Sequence, residues 1–498
     1  MSTFDAMREY IAETARYESI MAMVEWDQQT YLPTKANDYR AEQITLLSGL
    51  IHRRNTDPQL GEWLSELSEQ NYDDVRVSAT VRNAKRDYDK ATKLPADLVE
   101  ALARCTAKAH QVWIEARTAD DYSIFQPMLQ EVISLKQQQA DAIGFDECRY
   151  DALLDDYEPE IKTSEICPLL EGLRQELVPL VQTIMDSGKS APVELLTRNF
   201  PISAQSKFGR QAAAAIGFDF DSGRLDVAHH PFCTELGPRD CRITTRYDEQ
   251  FFSSAFFGTL HEAGHGMYEQ GLPIDWYGMA PGKYVSLGVH ESQSRLWENQ
   301  VGRSRAFWQH FLPIASEHFP GPLAGVSLDE WFWAINDVRP SLIRVEADEA
   351  TYNLHIIIRF ELEQELVDGS LAVADAPAAW NERYEKYLGI KPASDADGIL
   401  QDVHWSAGLL GYFPTYSLGN LYSAQLFEKA NDDLGDLNEQ FAKGEFSPLL
   451  DWLRANVHSL GSCYSAKELV RRATGREISH DALMRHLSGK LNPLYLTE

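Results

Sequence analysis

The chain has 498 residues, and 46 basic against 75 acidic side chains give it a formal charge of −29. A protein of that charge repels a phosphate backbone unless its cations gather on one face, and here they are spread along the whole sequence, which argues against a nucleic-acid partner. Hydrophobic residues at 44% and charged residues at 24% suit a folded body with a large core and exclude a disordered chain.

The opening stretch, MSTFDAMREYIAETARYESI, mixes charges with apolar residues and has no continuous apolar segment. It reads as neither a secretory signal nor an anchor. No run in the chain approaches the roughly 18 apolar residues of a membrane helix, so no membrane partner and a cytoplasmic location are expected. Six cysteines without a C-x-x-C pair fit reduced thiols.

Met7, Tyr10, Ile11, Tyr17, Ile20, Met21 and Val24 recur at three- and four-residue steps, the mark of an amphipathic helix. Pro33, Pro58, Pro95, Pro159 and Pro168 punctuate the helices that follow. Between residues 218 and 248 the texture changes to FDFDSGRLDVAHHPFC and DCRITTRYD, with β-branched residues and alternation, which predicts a small antiparallel strand pair. Helical periodicity returns from Ser253, with breaks over 271–282, 320–322, 391–397 and 408–419. The expected fold is all-α with one small antiparallel sheet, in a single domain over 1–498.

The segment FFSSAFFGTLHEAGHGMYEQG contains His261-Glu262-Ala263-Gly264-His265, an H-E-x-x-H pattern in a helical context. Four residues apart, the two histidines point the same way one turn apart, with Glu262 to one side. Phe252, Phe256, Leu260, Ala263 and Met267 form an apolar stripe on roughly the opposite side, so this helix buries one face and offers the other to a cation. Gly258, Gly264 and Gly266 each cost about 1 kcal/mol relative to alanine, a cost a helix carries where something must approach its backbone. A catalytic zinc site needs three protein ligands and one open position. Twenty-five residues after His265 begins His290-Glu291-Ser292-Gln293-Ser294-Arg295-Leu296-Trp297-Glu298, whose glutamates lie two turns apart on one face. Either Glu291 or Glu298 could be the third ligand, and either could instead form ion pairs, such as Glu291 with Arg295.

Six segments in chain order then give a resemblance. They are His230-Pro231-Phe232, Asp240-Cys241-Arg242-Ile243-Thr244, the H-E-x-x-H segment, His290-Glu291-Ser292-Gln293, Ile343-Arg344-Val345-Glu346-Ala347-Asp348, and Gly398-Ile399-Leu400-Gln401-Asp402-Val403-His404-Trp405. Together they resemble the signature of the thermostable carboxypeptidase family, whose namesake is carboxypeptidase Taq. The resemblance implies an elongated helical body similar to neurolysin and angiotensin-converting enzyme, with two lobes flanking a deep groove and the metal on its floor. It implies Glu291 as third ligand with His261 and His265, and a homodimer.

The chemistry follows from the residue types. One divalent ion per chain, zinc first with cobalt or manganese as alternatives, activates a water, and Glu262 takes its proton as general base. His404 and Tyr416 are the candidate donors to the oxyanion, because related groove peptidases place a His and a Tyr similarly on a glycine-containing loop; Tyr412 is an equal chemical candidate. A C-terminal exopeptidase must hold a free carboxylate, for which Arg344 offers a planar guanidinium. The anion at Arg344 is either substrate or Asp348. Arg242 and His230 lie on the expected strands, and the resemblance implies that they close the far end of the site; the alternative is structural pairing. The expected activity is removal of C-terminal residues from peptides with broad specificity, and the alternative is a groove-type oligoendopeptidase using the same metal.

Overall fold

Ser2 starts the first helix, Thr3–Thr30: its hydroxyl accepts a hydrogen bond from the Asp5 backbone N–H while the Asp5 carboxylate accepts one from the Ser2 N–H, a reciprocal cap. Met7 is fully buried among Leu60, Leu64, Leu67 and Val81, with Tyr10 and Ile11 packed beside it. The start of the expected amphipathic stripe is thus packed against its neighbours, whereas Ile20, further along it, is exposed. In the computed structural model, which describes residues 2–496, helices account for nearly all regular structure. Among the described residues no helix is long and apolar enough to cross a membrane. All six cysteines are free thiols.

Two compact units form, each from three separated stretches. Met1–Thr92, Pro192–Ile335 and Ser423–Glu477 make the first unit, and Lys93–Ala191, Asn336–Tyr422 and Ile478–Glu498 the second. Pro58 opens the helix Pro58–Ser68 and Pro95 precedes Ala96–Ala119, as expected of helix-starting prolines. Pro168 departs from expectation by lying inside the helix Thr163–Asp186. It forgoes one backbone hydrogen bond, yet the helix continues because Ile166, Leu170, Leu173 and Leu177 bury its apolar face.

The sheet lies in the first unit and has three strands, β1 (Gly223–Val227), β2 (Cys233–Glu235) and β3 (Cys241–Thr245), in the order β1-β3-β2. β2 and β3 form the expected antiparallel pair, but β1 runs parallel to β3, so the sheet is mixed. The hairpin turns at Gly237 and Arg239, which both hold positive φ, and this leaves the other edge of β3 for β1. A second departure concerns the break expected over 408–419. Pro414 begins a helix that runs to Leu434, since proline is preorganised for a first helical turn. Tyr412 therefore lies in the loop and Tyr416 in the first turn of the helix.

Two helices of the first unit carry the H-E-x-x-H segment and the residues after His290. The histidine helix, Phe252–Gly271, buries Phe252, Phe256, Leu260, Ala263 and Met267. Phe256 stacks on Phe208 at a centroid distance of 5.0 Å, and Trp308 lies 5.2 Å from Phe256 and 5.1 Å from Trp331. The glutamate helix, Leu287–Arg295, continues as a π-helical stretch, Leu296–Gly302. It crosses the histidine helix at Gly264, where a Cβ would lie 2.6 Å from both the Gln293 carbonyl oxygen and Ser294 Cα. At Gly266 a Cβ would meet Phe218 at 2.5 Å and Ile243 of β3 at 3.3 Å, whereas Gly258 faces open space.

Gly264→Ala should therefore cost at least about 2 kcal/mol, because the added methyl meets backbone that cannot swing away. Gly258→Ala should gain up to about 1 kcal/mol from helix propensity alone. Urea denaturation followed by circular dichroism reads both, and equal effects at the two positions would contradict the close crossing.

Candidate metal centre and substrate-binding residues

The glutamate helix begins at Ser286, whose hydroxyl accepts the Val289 N–H at 3.1 Å. From that start the Gly264 crossing carries Glu291 to the histidines. Glu291 Oε2 lies 3.4 Å from His265 Nε2 and 3.7 Å from His261 Nε2. Ligand atoms about 2.0–2.1 Å from a tetrahedral ion are about 3.3–3.4 Å apart, so these three atoms fit one divalent cation with little adjustment. Two imidazoles and a carboxylate also suit such an ion chemically.

Glu298, the other carboxylate left open by the spacing, faces elsewhere. Its Oε2 lies 3.0 Å from His261 Nδ1, and it pairs with Arg303 at 3.2 Å and Arg295 at 3.4 Å. It therefore addresses the nitrogen of His261 that points away from Glu291. The expected Glu291–Arg295 pair does form, at 2.6 Å, but in a buried setting and through Oε1, which leaves Oε2 to the histidines. Glu298 belongs to no surface pair either, since its side chain is only 12% exposed.

Burial raises the Glu291 carboxyl, but Arg295 and His261 outweigh it and hold the group well below the usual carboxylate range. Burial lowers His265 to about 3, with His290 adding to the shift, which favours the neutral imidazole that a metal needs. His261 moves the other way. Burial alone would lower it, but Glu291 and Glu298 raise it, and the field that draws a proton there also draws a metal cation. Glu262, 7% exposed on the same helix, is pushed up to about 7 by burial, an effect that His261 opposes and Glu291 reinforces.

The second unit gathers Arg344, Asp402, His404, Tyr412 and Tyr416. Arg344 donates Nε to Asp402 Oδ1 at 3.0 Å and Nη1 to the Tyr352 hydroxyl at 3.1 Å, and lies over the Tyr416 ring at 5.2 Å. Asp348, the alternative anion for Arg344, instead ties the turn before the helix Tyr352–Asp368: it accepts the backbone N–H groups of Ala350 and Thr351 and the Thr351 hydroxyl. Arg359, fully buried, donates to the other oxygen of Asp402 at 2.6 Å. His404 Nε2 lies 3.4 Å from the Tyr416 hydroxyl, and the Tyr412 ring is 5.4 Å from His404 and 5.3 Å from Tyr416. Burial pushes His404 down to about 4 despite Asp402 beside it.

Arg242 lies on β3 and His230 shortly before β2. Arg242 forms two hydrogen bonds with Asp240 at 2.9 and 2.8 Å and lies 4.2 Å over Trp26, while His230 packs edge-on to His229. Several neighbours of these sites were not singled out from the sequence: Glu269, Arg303, Arg359, and Asp402 as the anion of Arg344. Of these only Glu269 left a local sign, being four residues beyond His265 on the same helix.

The model of the carboxypeptidase Taq (M32) metallopeptidase family matches residues 6–491. The chain belongs to that family. It is a peptide hydrolase of the metallocarboxypeptidase class. It is 45% identical to thermostable carboxypeptidase 1 of Thermus thermophilus over 99% of both chains, and 39% identical to carboxypeptidase 1 of Bacillus subtilis over 97% and 96%. Among solved structures, the M32 carboxypeptidase of Deinococcus radiodurans R1 superposes with a TM-score of 0.97 at 40% identity over the full length of both chains. Like other members of its family it depends on a divalent metal.

The geometry separates the two glutamates by experiment. Glu291→Ala should abolish tight metal binding, whereas Glu298→Ala should weaken it by about 10- to 100-fold through the loosened His261. Chelator competition at equilibrium measures both, and the reverse order would exchange their roles.

Proposed function

We propose that this metallocarboxypeptidase holds its ion with His261, His265 and Glu291, uses Glu262 as general base, and removes C-terminal residues one at a time from peptides of varied sequence. The observation carrying the reading is the approach of one carboxylate oxygen, Glu291 Oε2, to both Nε2 atoms. When bound, a divalent ion supplies Lewis acidity, lowering the pKa of water towards about 7 and polarising the scissile carbonyl. Glu262 sits one residue from a ligand and outside the ligand triad, in a burial that brings its carboxyl to about 7. A carboxyl so placed takes a proton from water and returns it to the leaving amine.

The donors to the developing oxyanion are His404 and Tyr416, with Tyr412 as the alternative phenol. Support comes from their mutual contact and from the neutral state that burial imposes on His404. Arg344 holds the substrate carboxylate. The buried pair of guanidiniums, Arg344 and Arg359, shares one carboxylate, Asp402. That leaves one positive charge in excess there, and Arg344 is the more exposed of the two, at 7% against 0%. Arg242 and His230 limit how substrate enters, as the resemblance implies. The reading extends to zinc as the ion, with cobalt or manganese able to replace it, to the cytoplasm, and to a homodimer. A charge of −29 and six free thiols support the compartment. The dimer rests on the resemblance alone.

Glu262→Gln should keep its metal and lose more than about 100-fold in turnover, because it removes the base and leaves the ligands. Stopped assays beside metal analysis measure this, and a variant with near-normal kcat would assign the proton to another group.

For Arg344, the comparison is between the free-acid and amidated forms of one peptide. The parent enzyme should prefer the acid, and internal cleavage of the amide would favour the oligoendopeptidase alternative. Arg344→Ala should lose a contact of about 1.5–3 kcal/mol, roughly 10- to 150-fold in kcat/KM on the acid alone. If the variant discriminates as the parent does, Arg344 is a structural partner of Asp402 and another cation reads the terminus.

A further inference from the structure

His265 makes a contact on its far side that the chemistry above leaves unused. Its Nδ1 is hydrogen-bonded to His290 Nδ1, and His290 Nε2 is hydrogen-bonded to Glu269 Oε1 at 2.7 Å. His290 occupies the first turn of the glutamate helix, immediately before Glu291. Glu269 lies one turn beyond His265 on the histidine helix. The two side chains are 13% and 10% exposed, and the Tyr284 ring, 4.9 Å away, flanks the imidazole.

A metal needs a lone pair on His265 Nε2, and with that requirement donor and acceptor counting fixes the protons in this chain. A carboxylate only accepts, so His290 carries its proton on Nε2 and donates it to Glu269. A neutral His290 presents a lone pair at Nδ1, so the atom facing it, His265 Nδ1, is the donor; an imidazolium His290 would donate from Nδ1 as well and leave the His265 proton on Nε2, where no ion could bind. The remaining nitrogen of His265, Nε2, is left as a lone pair aimed at the space beside Glu291 Oε2. In the opposite arrangement a lone pair on His290 Nε2 would face Glu269 at 2.7 Å, which is repulsive, and His265 Nε2 would carry the proton. The other histidine reaches the same state by a shorter route, because Glu298 accepts from His261 Nδ1 directly.

We propose that Glu269 and His290 are positioning residues which fix the tautomer and ring orientation of His265, and so set the metal affinity of the site. The inference rests on the ligand set of the proposed function. Neither residue touches the ion: Glu269 acts on His290, and His290 acts on His265.

The test is Co²⁺ affinity, measured by chelator competition on the full chain and accompanied by the visible absorption of bound Co²⁺. His290→Ala should weaken Co²⁺ by about 10- to 100-fold and alter the spectrum. His290→Asn places a carbonyl oxygen where Nδ1 was, so it should recover most of that loss. Glu269→Met, which keeps the length and removes the acceptor, should cost about tenfold in the parent and nothing in the His290→Asn background, because asparagine needs no partner to accept. A merely structural role predicts the same cost in both backgrounds. If His290→Ala does not fold, Glu269→Met decides: an unchanged Co²⁺ affinity overturns the relay, as does failure of His290→Asn to recover. A parent protein that binds no Co²⁺ would overturn the ligand set itself, whereas tight binding with indifferent variants would overturn only the relay.

Discussion

Two helix backbones in direct contact at Gly264 determine how Glu291 meets His261 and His265. Any side chain at that position would hold the glutamate helix away from the histidine helix and carry Glu291 out of reach of His261 and His265. The same economy recurs on this helix at Gly266, where Phe218 and β3 come close, and at Gly271, where the His458 ring does. Helix propensity is given up at each point of contact. The aromatic packing of Phe252 and Phe256 on the far side offsets that loss.

The charge arrangement is complementary in the two units. In the first, Glu262 and Glu291 are buried and Glu298 is largely so, with Arg295 and Arg303 pairing with the last two, and His261 responds with a raised affinity for a proton. In the second, two guanidiniums share one carboxylate. Buried charge of one sign without its full complement is expensive, and it persists in folded proteins chiefly where function requires a counter-charge. A cation would answer the first imbalance, in keeping with a metal-dependent carboxypeptidase, and in the proposed role of Arg344 a substrate carboxylate would answer the second.

Local periodicity made much of this visible in the sequence. His261 and His265 share a face because they are four residues apart, and the apolar stripe from Phe252 to Met267 declared which side is buried. Glu291 and Glu298 could not be ranked that way, since seven residues put both on one face and only the crossing angle decides which nitrogen each meets. Asp402 was hidden for a related reason: it lies 58 residues from Arg344, while Asp348 was near in sequence and otherwise engaged. Tyr416 was assigned to a loop because glycines flank it, although Pro414 is the stronger local signal. The parallel placement of β1 depends on which edge of β3 stays free, which alternation in a strand does not encode. Hydrogen-bond chains such as Glu269 to His290 exist only once two helices have met.

His261 and His265 and the core aromatics occupy opposite sides of one twenty-residue helix. Such a helix cannot fray open on one side while staying folded on the other. Its backbone amides should therefore exchange with solvent only when the whole first unit opens, placing the reactive centre in the most slowly exchanging part of that unit. Many enzymes mount catalytic groups on loops that open far more readily than their cores. With the proposed ligands on such a helix, access to the chemistry and local softness are separated, so the motion that admits a peptide would come from other elements.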